Sequence, residues 1–344
     1  MQFVAGLARP GRILPARTIE MNLQENAVHV SVVMSAFNCQ SYIAGAVESI
    51  LQQTFRDFEF IVIDDGSTDG TAGILRGFER TDPRVRLISR ENRGLIKSLN
   101  EAVSLSRGSL IARMDADDIA LPHRLERQVE YMSQHPETVV VGSKIVLIDR
   151  AGAPLMRWKH ALTHAEIVRR LFQGDGSALT HPAIMMRRKA FDAVGGYDHR
   201  FNATEDYDLY LKLSEVGGLA NLDEVLFHWR QHSESVNAGN WHLWTEGKQL
   251  ALKEAIDRRG SEAVAAELLG QQKPVLQLAG SDFWARAALR SGFYRTAVKY
   301  AWAMINQENQ FRAGVKLIVR IAGRKLLETA KSVGRIGSKQ LIGK

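Results

Sequence analysis

A single cysteine, Cys39, stands in 344 residues. No disulfide framework can brace the fold, and a reducing compartment suits such a chain. No apolar run approaches the ~18 residues that a membrane-crossing helix needs. The first twenty residues carry Arg9, Arg12 and Arg17 with Pro10 and Pro15. They lack a long apolar stretch behind a basic start, so a secretory signal is not expected. Residues 1–26 read instead as a disordered leader, with Met21 as a second candidate start. Internal repeats and low-complexity segments are absent. The body also lacks a charge surplus. Of the net +7, the segment from Gln310 to Lys344 supplies nine Lys and Arg against one acid, Glu328, which leaves the remainder close to neutral. A nucleic-acid-binding body would need a basic face on the fold itself, so no nucleic-acid partner is expected.

What is present is an ordinary globular composition, 45% hydrophobic and 24% charged, at a length that allows one large domain with an appendage. From Val28 onward, short β-branched runs alternate with helical spacings. Strands are predicted at Val30–Ser35, Phe58–Ile63, Val85–Ile88, Leu110–Met114 and Val139–Leu147. Helices are predicted around Tyr42–Leu51, Thr71–Glu79, Leu95–Leu105 and Pro122–Gln134. This alternation implies an α/β fold with a Rossmann-like, mostly parallel sheet and helices on both faces. Further on, Thr180–Met186 suggests a strand, Tyr207–Glu215 a helix and Asn221–Gln231 extended chain. A helical C-terminal extension follows, with helices over Glu246–Arg259, Glu262–Leu269 and Ser281–Met304.

Ligands of such sheets bind beyond the carboxyl ends of the strands, and both acidic clusters sit there. Asp115-Ala116-Asp117 closes the fourth strand. Two carboxylates one residue apart suit Mg²⁺ or Mn²⁺, whose shell phosphate and water would complete; an acidic turn is the plain alternative. Asp64-Asp65-Gly66-Ser67 closes the second strand. A carboxylate there can accept hydrogen bonds from a nucleobase or ribose, or the turn can cap the next helix through Ser67, Thr68 or Asp69. In Thr204-Glu205-Asp206-Tyr207, a carboxylate could take the proton of an attacking hydroxyl, or the acids could serve the helix N-terminus. In Trp229-Arg230-Gln231-His232, followed by Ser235, Arg230 could clamp phosphate oxygens and His232 could bind metal or phosphate. A structural histidine is the alternative.

Taken in order, these elements resemble family 2 of the inverting glycosyltransferases with the GT-A fold, of the bacterial surface-polysaccharide type. The resemblance runs from about Val28 to Asn237, about three fifths of the chain. It rests on Val30–Asn38, Ser49–Phe55, Ile63–Asp69, Asn92-Arg93-Gly94 with Asn100 and Gly108, and Met114–Asp118 with Pro122 and Arg124. The ordered set is far more specific than any one piece.

The resemblance implies transfer of a sugar from a nucleotide sugar, by default a uridine diphosphate sugar, to an acceptor hydroxyl. Asp206 is implied as catalytic base and Asp117 as principal ligand of Mg²⁺ or Mn²⁺. Asp115 would approach ribose and metal, and Asp65 would recognise the base. Ser35 would face the nucleoside. His232 and Arg230 would bind metal or diphosphate, and His181 with Glu205 would lie toward the acceptor. Family members usually carry proline and tyrosine where this chain has Ser35 and Phe37, which leaves Phe37 base stacking as its contribution. The implied acceptor is a lipid-linked glycan in exopolysaccharide, lipopolysaccharide or capsule synthesis, and the implied place is cytoplasmic or peripheral on the inner membrane's cytoplasmic face. A nucleotidyltransferase would carry a glycine-rich basic loop after the first strand, and Ser35–Ser41 has neither glycine nor lysine. A non-catalytic nucleotide-sugar binder or scaffold is the remaining alternative, and it predicts a defective acid pair. The domain plan is a leader over 1–26, a GT-A domain over 27–238, a helical extension over 239–309 and a basic amphipathic tail over 310–344. The tail reads either as a helix lying on an anionic membrane or as a solvated helix packing one apolar face on the body.

Overall fold

The computed structural model describes residues 29–232, 241–260, 280–307 and 310–340, with side chains left aside at 241–243 and 327–340. The expected leader over 1–26, Ser235 and the helix expected over Glu262–Leu269 lie outside the described residues.

The β-branched run at the start forms β1 (Val30–Ala36), followed by α1 (Ile43–Leu51), β2 (Phe58–Asp65), α2 (Thr71–Thr81), β3 (Val85–Arg90), α3 (Leu95–Leu105) and β4 (Leu110–Asp115). These four strands pair in parallel in the order β3-β2-β1-β4. Every residue of β2 is buried, as expected of a strand covered on both faces. Alternate side chains feed two separate cores. Val33, Ile61, Ile63 and Ile111 pack on one side with Leu99 and Val103 of α3. Val32, Met34, Phe60 and Val62 pack on the other with Ile43, Val47 and Ile50 of α1.

The second half of the sheet is mixed. After β5 (Ile119–Ala120) and α4 (Arg124–Gln134) come β6 (Thr138–Ile148), β7 (Pro154–Arg157), α5 (His164–Phe172), β8 (Met185–Arg187), α6 (Arg188–Ala193), α7 (Glu205–Val216) and β9 (Gly218–Arg230). Strand β8 lies antiparallel between β4 and β6, β9 runs parallel to β6, and β5 and β7 cap β9 and β6 in antiparallel pairs. The strand expected over Thr180–Met186 is only partly present. A 3-10 turn occupies His181–Ala183, and only Met185–Arg187 pairs. Pro182 lacks the N–H that a central strand would donate.

Helix α8 (Trp241–Arg259) packs on α7, and its Ala251, Leu252 and Ala255 join the first core. The single helix expected over Ser281–Met304 is two, α9 (Ser281–Arg290) and α10 (Tyr294–Asn306). Gly292 takes φ +79°, its N–H donates to the Leu289 carbonyl at 3.3 Å, and the Phe293 N–H donates to the Ala288 carbonyl at 2.8 Å. That pair of bonds is a Schellman stop, which apolar periodicity alone does not reveal. Helix α11 (Phe311–Gln340) then packs on α10. Leu289, Ala297, Ala301, Met304, Leu317 and Ile321 share one apolar cluster, which joins α9, α10 and α11 in a helical hairpin.

Candidate active site

Parallel pairing aligns the carboxyl ends of three strands. Ser35 is opposite both Ile63 and Asp115, and Ala36 is opposite Asp64. The turns after β1 and β2 are tied together: the Asn38 N–H donates to Ser67 Oγ at 3.1 Å, the Thr68 N–H donates to Asn38 Oδ1 at 2.8 Å, and the Gln40 N–H donates to Asp69 Oδ2 at 3.1 Å. Asp69 also accepts the Thr71 N–H at 2.9 Å, so the turn supports the start of α2 as well. Gly66, at φ +80°, allows this turn to approach the next loop; a Cβ there would meet the Asn92 nitrogen at 2.6 Å. Phe37 is 51% exposed at the tip of β1, a free aromatic face where the strands end. Ser35 is half-buried beside it.

Asp65 is 2% exposed. It accepts a hydrogen bond from Arg90 and the N–H groups of Arg93 and Gly94, both at 2.9 Å. Burial opposes its charge, yet these donors, Arg93 first, hold the carboxyl below its usual range. It therefore anchors the loop at 90–94 to the end of β2. The sheet order places it two strands, or about 10 Å, from Asp115.

A group of charges gathers at the end of β4. Arg113 is 2% exposed and pairs with Asp115. Asp117 Oδ2 lies 2.8 Å from His232 Nε2. Asp118 is fully buried; its Oδ1 accepts the Arg230 N–H at 2.7 Å, and its Oδ2 has no partner among the described residues. Oxygens of Asp115, Asp117 and Asp118 lie within 4.8 Å of one another. Burial first, then repulsion from Asp115, raises the Asp117 carboxyl; burial, then Asp117 and Asp115, raises Asp118 well above its usual range. A hard divalent cation would reverse both effects and would give the orphaned oxygen a partner. The donor set therefore fits Mg²⁺ or Mn²⁺, with His232 adjacent.

Arg124 braces this turn from below. It is fully buried, with Nη2 donating to the carbonyls of Arg113 at 2.7 Å and Ile184 at 3.0 Å. Arg230 is engaged with main chain: Nε donates to the Asp117 carbonyl at 2.6 Å, and Nη1 to those of Asp149 and Arg150 at 3.2 and 3.0 Å. Its guanidinium lies 5.1 Å from the Tyr42 ring centroid, and His232 stacks on the same residue at 4.8 Å. Arg230 thus fixes the acidic turn and the turn after β6 to the end of β9.

The acid pair begins α7. Ala203 immediately before it adopts φ +70°, a conformation that non-glycine residues hold only where the surroundings impose it. Glu205 is 6% exposed, and burial, then Asp206, pushes its carboxyl up to about 7; Arg113 opposes the rise and Asp115 adds to it. Burial also raises Asp206, opposed by its own bond from the Tyr207 N–H at 2.7 Å, by Lys248 and by Arg113. Tyr197 is within reach of the same Arg113, Glu205, Asp206 and Asp115 charges. His181 lies buried against the Tyr197 and Tyr210 rings, with Nε2 2.7 Å from the Tyr197 hydroxyl; burial, then Arg113, keeps its ring neutral. The β4 carboxylates and the α7 acids therefore share one electrostatic neighbourhood centred on Arg113.

Sequence reasoning passed over Arg113, Tyr42 and Lys248. Arg113 carried a signal, a cation inside an otherwise apolar buried strand, which must find an anionic partner. Lys248 carried none. It reaches from α8 to the Gly174 carbonyl at 2.9 Å and lies 3.6 Å from the Trp244 ring centroid.

Comparison with known proteins identifies the family and the fold. The family model for glycosyl transferase family 2 matches residues 31–195. "Putative glycosyltransferase EpsE" of Bacillus subtilis is 36% identical over 211 residues, 60% of this chain and 74% of that protein. "O-antigen biosynthesis glycosyltransferase WbnJ" of Escherichia coli is 36% identical over 235 residues, 67% of this chain and 90% of that one. Among solved structures, S. aureus TarS 1–349 in complex with UDP-GlcNAc superposes with a TM-score of 0.59 at 16% identity, covering 87% of this chain and 92% of that one. At that identity the likeness speaks for the fold, which is GT-A.

Proposed function

The chain belongs to glycosyl transferase family 2, and from that premise we propose that it moves a sugar from a nucleoside diphosphate sugar to an acceptor hydroxyl with inversion at the anomeric carbon. The acceptor oxygen forms the new bond to that carbon as the bond to the diphosphate oxygen breaks. The electron pair leaves with the diphosphate, and the hydroxyl proton passes to Asp206. Glu205, whose carboxyl is pushed up to about 7 and so still carries a proton in much of the population near neutral pH, spares Asp206 part of a second negative charge and can hydrogen-bond an acceptor. Phe37 stacks on the base, Ser35 faces the nucleoside, and the loop that Asp65 holds borders the base. Asp117 with Asp115 and His232 would hold Mg²⁺ or Mn²⁺, which supplies positive charge against the departing diphosphate. Arg230 acts there by keeping the acidic turn in place, and His181 lies behind the acceptor side.

The observation that carries this reading is the cluster of Asp115, Asp117 and Asp118 carboxylates at the end of β4, where Asp115 pairs with an Arg113 whose charge also acts on Glu205 and Asp206. Uridine diphosphate sugars are the first donors to test, since TarS is solved with UDP-GlcNAc. The E. coli relative is named for O-antigen biosynthesis, which favours a surface-polysaccharide acceptor. No described helix is long and apolar enough to cross a membrane.

Asp206→Asn tests the core of the proposal. Transfer should fall by about 10²–10⁴-fold, while the rise in melting temperature produced by donor and Mn²⁺ should persist. Undiminished transfer by this variant would refute the assignment of the base.

A further inference from the structure

Large apolar side chains left exposed among the described residues gather on the C-terminal hairpin. Trp302, Phe311, Val315, Val319 and Leu326 are 52%, 65%, 39%, 67% and 71% exposed, whereas elsewhere only Phe37, Val216 and Leu250 stand out. Four of the five belong to α11. At 3.6 residues per turn, positions 311, 315, 319 and 326 fall within an arc of about 80°. The side of α11 that packs on α10 is a different one, carrying Leu317 and Ile321, each 3% exposed. Gly314 faces the Ala301 carbonyl and Ile305 on that same packed side. The helix therefore has two apolar faces, one docked and one open.

The open face has a charged border. Arg312, Lys316 and Arg320 are exposed and follow it at about 100–180° around the helix. The chain from 310 to 344 holds nine Lys and Arg against Glu328 alone. An apolar strip along a basic row matches the interface of an anionic bilayer, where side chains enter the acyl boundary while cations meet phosphate head groups. A second copy fits less well, because a two-fold contact through this face would bring two basic rows together.

The hairpin is also fixed to the catalytic domain. Trp284 and Ala287 of α9 enter the core beside Leu155 of β7. Lys299 Nζ donates to Asp149 Oδ2 at 2.5 Å, and the Arg157 guanidinium lies 5.3 Å from the Phe293 ring centroid. The Asp149 carbonyl in turn accepts from Arg230.

We propose that the Phe311-Val315-Val319-Leu326 face of α11, with Arg312, Lys316 and Arg320, is a docking surface for anionic lipid bilayers that holds the enzyme flat on the membrane. Flotation of the full chain tests this, using vesicles of phosphatidylcholine alone and vesicles with about one third phosphatidylglycerol. Binding should require the anionic lipid and weaken as salt rises. The double variant Val315→Gln/Val319→Gln should lose at least about tenfold in partitioning. Arg312→Gln/Lys316→Gln/Arg320→Gln should lose about a hundredfold. Both variants should keep the wild-type melting temperature and transfer to a soluble acceptor, and the charge variant tests the same face should the apolar one perturb folding. Failure of the wild type to float with anionic vesicles would overturn the proposal, as would flotation of both variants at the wild-type level. A wild-type dimer in sedimentation that Val315→Gln/Val319→Gln dissolves would assign the face to a second copy instead.

Discussion

Arg113 illustrates how one side chain can organise a site without being offered to a ligand. A guanidinium enclosed near the end of β4 is stable only beside anions; Arg113 pairs with Asp115, and Asp118 and the α7 acids interact with it electrostatically. Glu205 carries the clearest consequence. Its carboxyl ionises near 4.5 when unfolded and near 7 in the fold, chiefly because it is buried and next because Asp206 adjoins it. Between those values the folded chain holds a proton that the unfolded chain has released. The stability tied to this proton is complete below pH 4.5 and is lost as pH rises through 7. We expect Glu205→Gln to melt above the wild type at pH 8, by about 2–4 °C for each kcal/mol relieved, and the gap to vanish near pH 4.5. Melting curves across that range check this; parallel curves for the two proteins would remove burial of Glu205 as the cause. At this scale, Asp115, Asp117 and Asp206 stand out as candidates because their motifs are local in the chain. The coupling among them does not, because it runs through Arg113, whose charge calls for a buried anionic partner without saying which carboxylates fold around it.

At the scale of elements, helix α7, which carries the proposed base, is held by a neighbour from outside the sheet domain. Gly247 of α8 lies so close to Thr204 that an added Cβ would run into its side chain, and Thr204 directly precedes Glu205. Lys248, one residue on, faces Asp206 electrostatically. The helical extension thus abuts the start of α7, where the proposed base lies. Gly247→Ala should destabilise the protein by about 1–3 kcal/mol, the usual cost of overpacking, and should slow transfer by displacing the start of α7. Thr204→Ala in the same chain removes the obstructing atoms and should restore much of both. Denaturant melts and transfer rates of the four proteins in the cycle decide it; a Gly247→Ala variant as active as the wild type would mean that α8 only adjoins the site. Periodicity identified α8 as a helix, but no local signal says where a helix docks.

For the whole molecule, the question is how the C-terminal hairpin stays attached. Trp284, 9% exposed, fills the core between α9 and β7, whereas the Lys299–Asp149 pair is half exposed on the lysine side and contributes little by comparison. Trp284→Ala should cost about 3–5 kcal/mol and should loosen this unit first. Hydrogen exchange should accelerate over 281–306 and 311–326 while β1 and β2 keep their protection. Uniform acceleration across the chain would show instead that hairpin and sheet unfold together.

Pattern in the chain was sufficient for the α/β alternation, the strand ends that carry carboxylates, the acid pair and the basic character of the last segment. Each of these depends on residues near one another in sequence, or on periodicities of two and 3.6 that local backbone geometry imposes. Tertiary structure decided the rest: β8 antiparallel within the sheet, Arg230 turned onto main-chain carbonyls, Arg113 between two acidic groups, and a second apolar face left open on α11. Those outcomes depend on which surfaces meet after folding, and burial, the term that shifts the carboxyls and selects the docked face, exists only once they have met.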